Sequence, residues 1–107
     1  MTDISSLIQQ QRLRYEKTIR DTMTEYLTKN HEDVIHELML NSFCSIALSF
    51  GSLHGKILSY IQPVSNIYIE NFIALPNGLH IDEIKESSDP HDRDEYIIFK
   101  LTLAKNT

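Results

Sequence analysis

The chain has a single cysteine, Cys44, in 107 residues. An intrachain disulfide is therefore impossible, and a reducing compartment, the cytoplasm, is the expected location. Long apolar runs are also missing. No window approaches the roughly 18 apolar residues that a membrane-spanning helix needs. The opening MTDISSLIQQQRLRYEK lacks the basic-then-apolar run of a secretory signal. Glycine is scarce, with three in all and none from 79 to 107, which counts against a calcium loop near the carboxyl end. Positive charge is short as well. Ten Lys and Arg stand against 15 Asp and Glu, for a net charge of -5. Such a chain is a poor polyphosphate binder, so nucleic acid is not an expected partner, and a basic protein is a better one.

What is present fits one ordinary globular domain spanning 1–107. An apolar fraction of 41% and a mean hydropathy of -0.27 exclude a disordered tail. The charge is uneven: residues 1–30 carry +1 and residues 31–107 carry -6. From Asp3 or Ser5 as cap, Ile4, Leu7, Ile8, Tyr15, Ile19, Met23 and Tyr26 recur near the helical period. They predict a helix to about Lys29, roughly 39 Å long and longer than so small a core requires. The excess invites a second chain, and a homodimer through this helix is expected. Gln11 and Arg12 interrupt the heptad seam, which argues against a long coiled coil.

Asn30 is a candidate cap for a second helix over 31 to about 41, with Glu32 and Asp33 at its positive end. The stretch 42–50 fits either period, because CSIALSF alternates while Phe43, Ile46 and Phe50 continue the helical arc. It leans helix. From Lys56 the expectation is β structure: KILSYI up to Pro63, NIYIENFIAL, a PNG turn, LHIDEIK, and EYIIFKLTLA with Ile97, Phe99, Leu101 and Leu103 inward. The predicted fold is α+β. A long first helix and a second helix (1–50 mainly helical) pack on one face of an antiparallel meander of about four strands (56–104 mainly β).

The densest polar stretch is SSDPHDRDEY, Ser87 to Tyr96. Its one histidine is too few for zinc, so a solvated acidic connector without bound metal is expected. In HEDVIHE, His31 and His36 are five apart and cannot share an ion on a helix. Cys44 sits in an apolar run and reads as a small buried hydrophobe. His54, in GSLHGK, reads as a turn residue. Arg12, Arg14, Lys17 and Arg20, interleaved with Glu16 and Asp21, read as a salt-bridged helix face. DEIK, Asp82 to Lys85, with Glu70 on a neighbouring predicted strand, resembles the two-carboxylate-plus-lysine site of restriction-type nucleases. That resemblance implies magnesium held by Glu70 and Glu83 with Lys85 steadying the transition state.

The composition points instead to a non-enzymatic protein-binding domain without cofactor. Its most specific form is a small acidic inhibitor of a basic partner, as immunity proteins are. Asp89, Asp92, Asp94 and Glu95, with Glu83 and Glu86, are the expected contacts. Two alternatives are a secretion chaperone or assembly subunit using apolar residues of a sheet face such as Tyr68 and Phe72, and a small metal-dependent hydrolase.

Overall fold

The computed structural model describes residues 3–88 and 95–103. Its elements run α1 (Ile4–Lys29), α2 (His31–Asn41), β1 (Phe43–Leu48), a 3-10 turn (Gly51–Leu53), α3 (His54–Ile61), α4 (Asn66–Ile73), β2 (Leu79–Ser88) and β3 (Glu95–Leu103). The protein is mixed α+β, as its patterning predicted. Among the described residues the sheet has three antiparallel strands in the order β1-β3-β2, not the expected meander of about four.

The two missing strands are helices, and the reason lies in their spacing. In KILSYI, Ile57 and Ile61 are four apart, as are Ile69 and Ile73 in NIYIENFIAL. A separation of four satisfies both the strand period and the helical one. Helix α3 buries His54, Ile57 and Ile61, and α4 buries Ile69 and Ile73. Ile67, which a strand period of two would place on the same side as Ile69 and Ile73, is 72% exposed. The Ser65 hydroxyl caps α4 by accepting from the Tyr68 N–H at 3.3 Å. The stretch 43–48, expected to lean helical, is strand β1, with Cys44, Ile46 and Leu48 buried and Phe43, Ser45 and Ala47 exposed. Ser42, at φ 66, ends α2 in the left-handed region and turns the chain into β1. Residues 1–50 are mainly helical, as expected, but they also hold β1, and α3 and α4 interrupt the expected β half.

The predicted α1 and α2 form, within one residue of the expected ends. The Asp3 carboxylate accepts from the Ser5 N–H and starts α1. Asn30 does not cap α2 through its side chain; its Nδ2 donates to the Tyr26 carbonyl at the end of α1.

β3 lies between the other strands, and Ile97, Phe99 and Leu101 are fully buried. Leu103, expected inward, is exposed at the strand end. The core joins these residues to Cys44, Ile46 and Leu48 of β1 and to Ile19, Met23, Val34, Leu38, Ile57, Ile69 and Ile73 of the helices. Burying each such side chain contributes about 1.5–3 kcal/mol. The opposite sheet face carries Phe43, Ser45 and Ala47, with Tyr96, Ile98 and Lys100 partly open. Here the Lys100 ammonium lies 4.7 Å from the Phe43 ring centroid.

Only the C-terminal part of α1 belongs to the core, through Ile19 and Met23. Its first helical residues, Ile4 to Gln10, are all exposed. The radius of gyration is 15.1 Å, against about 13 Å for a compact chain of about this length.

Candidate protein-binding surface

The strand pairing brings an acidic end together from two segments. β2 and β3 pair antiparallel with Ser88 opposite Glu95 and Glu86 opposite Ile97. Ile97 is an inward position, so Glu86 points toward the helix side of the sheet, just past the apolar core. Glu95, two residues from Ile97, shares that side. Two carboxylates this close repel unless a donor lies between them.

The donor is His54. It is not an exposed turn residue; it opens α3 and is 3% exposed. Its Nε2 lies 2.6 Å from Glu86 Oε2 and 3.8 Å from Glu95 Oε2. A carboxylate only accepts, so Nε2 carries the proton in the bond to Glu86. One buried imidazole thus ties α3 to the mouth of the β2–β3 hairpin. Among the described residues its buried Nδ1 has no hydrogen-bond partner, an uncommon state for a buried nitrogen.

Charge concentrates at this hairpin. Residues 82–95 hold seven carboxylates against Lys85 and Arg93, a net -5 that equals the charge of the whole chain. The remaining residues sum to zero. Of the expected contacts, Glu83, Glu86 and Glu95 are exposed on the strands. Asp89, Asp92 and Asp94, which connect Ser88 to Glu95, lie outside the described residues. Glu83 faces Lys100 across the ladder, on the opposite side of the sheet from Glu86. Of the described contacts, Glu86 and Glu95 therefore lie on one face of the sheet and Glu83 on the other.

The carboxylate-and-lysine constellation is not assembled. Glu70 lies on α4 rather than on a strand opposite Glu83, and its carboxylate accepts from the Ile81 N–H at 2.5 Å and lies 3.4 Å from His80 Nδ1. Asp82, at an irregularity in the β2 register, offers its carbonyl to Asn66 Nδ2 at 3.2 Å and its carboxylate to Lys100 Nζ at 3.5 Å. Lys85 pairs with Ile98. Glu70 and Asn66 instead occupy backbone groups on the free edge of β2, which blunts it against further strand pairing. Among the described residues, no group of three His, Cys, Asp or Glu side chains is placed to hold a metal ion.

Cys44 is buried, as expected, and burial first, then the neighbouring Glu37 carboxylate, push its thiol up to about 12. It carries almost no thiolate at neutral pH and is no nucleophile. Tyr68 and Phe72, expected on a sheet face, stack edge-to-face on α4 with ring centroids 5.9 Å apart. The basic face of α1 is mostly unpaired. Arg20 lies 4.0 Å from Asp21, whereas Arg14 and Lys17 make no ion pair among the described residues. No helix among the described residues is long and apolar enough to cross a membrane.

The residue that the sequence pattern missed is His54. Its partner is 32 positions away, and only the hairpin register brings the two together. No family model, no curated protein and no solved structure matches the chain.

Proposed function

We propose that the chain is a non-enzymatic protein-binding domain whose acidic hairpin end engages a basic protein in the cytoplasm, most specifically as an inhibitor or neutraliser of that partner. The observation that supports this reading is the confinement of the entire net charge to residues 82–95 on one hairpin. A localised negative field steers a basic partner and orients it on arrival, which raises the association rate more than the final affinity. His54 serves the surface by fixing the strand ends that carry Glu86 and Glu95. The contacts are Glu83, Glu86, Asp89, Asp92, Asp94 and Glu95. The same reading has the chain act as a homodimer through α1, presenting two acidic ends.

The test is capture from a native lysate on immobilised chain. The expected partner is basic, is retained at about 50 mM salt, and is released by a few hundred millimolar as screening shortens. Asp92→Asn with Asp94→Asn and Glu95→Gln lowers its association rate at least tenfold. An acidic partner, or a rate indifferent to both salt and these substitutions, overturns the reading. A melting temperature raised by magnesium or manganese and insensitive to protein partners would favour the hydrolase instead.

A further inference from the structure

The amino-terminal half of α1 runs past the body with an apolar stripe on it. At about 100° per residue, Ile4, Leu7, Ile8 and Gln11 share a strip that borders the core-facing side of the same helix. Ile4 is 67% exposed and Ile8 48%. The body begins at Tyr15 and Glu16, where Tyr15 stacks on Tyr60 and Glu16 accepts from the Tyr68 hydroxyl. Just below that shoulder is an open groove of about 610 Å³ lined by Arg12, Tyr60, Pro63, Val64 and Tyr68.

The charges on the outer flank of the strip are ordered along the helix. Asp3 stands at the tip, and Arg14 and Lys17 stand about three to four turns in, all exposed and the two cations without an ion pair among the described residues. In a parallel pair Asp3 would face Asp3 and Lys17 would face Lys17. In an antiparallel pair the acid of each chain meets the cations of the other.

We infer that two copies of this chain associate by antiparallel pairing of their α1 overhangs, centred near Gln9. Ile8 then meets Ile8 of the second copy, Leu7 lies over its Gln11, Ile4 reaches its shoulder at Arg14, and Asp3 sits beside its Lys17. The length of the overhang sets this register. Each helix extends about 15 Å beyond its body, so the tip of one arrives where the body of the other starts. There Ile4 and Ile8 cover the mouth of the partner's groove. The pairing rests on the self-association part of the proposed function alone, and it does not depend on what the hairpin end binds.

The experiment is sedimentation with disulfide trapping on the full chain. At 100 µM chain the expected mass is twice 12.4 kDa. Ile8→Asp, at a position outside the core, weakens the dimer at least 100-fold with unchanged circular dichroism. Lys17→Glu, which leaves the Asp3 cap of α1 in place, weakens it about three- to tenfold, the range of two exposed ion pairs. Ile8→Cys cross-links to itself on oxidation, whereas Asp3→Cys does not, because antiparallel chains hold their tips apart; buried Cys44 stays silent. A monomer at 100 µM overturns both the pairing and the homodimer. A dimer indifferent to Ile8→Asp, or one in which Asp3→Cys cross-links as readily as Ile8→Cys, overturns this interface while leaving self-association standing.

Discussion

His54 is the point at which one substitution separates a structural tie from a bystander. Replacing it with Ala removes a bond from a 97%-buried imidazole to the Glu86 carboxylate at 2.6 Å. A hydrogen bond to a charged partner contributes about 1.5–3 kcal/mol. The Glu86 side chain is 45% exposed, which screens the pair toward the lower end, about 1.5 kcal/mol. The void left under the hairpin adds a packing loss of similar size. The expected cost of His54→Ala is therefore about 3 kcal/mol, a large part of the roughly 5–15 kcal/mol that holds such a domain folded. The melting temperature should fall by about 10–20 °C. The decisive assay is a double-mutant cycle in urea with Glu86→Ala. The tie requires a coupling near 1.5 kcal/mol between the two sites. The same cycle with Glu95→Ala should give 0.5 kcal/mol or less, since that contact is 3.8 Å and its carboxylate is 55% exposed. Additivity of His54→Ala and Glu86→Ala within about 0.3 kcal/mol would refute the argument that the imidazole pins the hairpin.

Three further outcomes follow from the packing and the ionisable groups. Phe99→Ala, at the fully buried centre of the middle strand, should cost about 3–5 kcal/mol in chemical denaturation. Glu70→Ala leaves the Ile81 N–H without its acceptor and should lower stability by about 1–3 kcal/mol; amide exchange at Ile81 should accelerate. Stability should decline as pH rises from about 9 toward 12. Cys44 and Tyr60 are both pushed up to about 12 in the folded chain, chiefly by burial. Above the ordinary thiol and phenol values the unfolded chain releases protons that the folded chain retains, so ΔG of unfolding falls with pH. The limiting slope is about 1.4 kcal/mol per pH unit for each group. Cys44→Ala should abolish the portion that begins near pH 9, and an unchanged alkaline profile in that variant would refute the assignment.

The sequence by itself determined the elements whose period is sampled often enough to be unique. Helix α1 carries its stripe through seven turns, α2 follows a clear restart, and β3 alternates across nine residues with Ile97, Phe99 and Leu101 inward. It also determined the acidity of residues 82–95 and the burial of Cys44. It could not decide segments of six to eight residues. Two isoleucines four apart serve a strand and a helix equally, and α3 and α4 became helices because each lays one turn-spaced pair on the sheet. In β1 the alternation of Cys44, Ile46 and Leu48 prevailed because β3 supplied a partner for every residue from Phe43 to Leu48. The site divides along the same line. Its charge is written locally, but the buried His54 bond and the diversion of Glu70 to the β2 edge depend on contacts 32 and 11 residues apart. Local spacing carries no information about which distant group will arrive, and only the closed tertiary structure provides it.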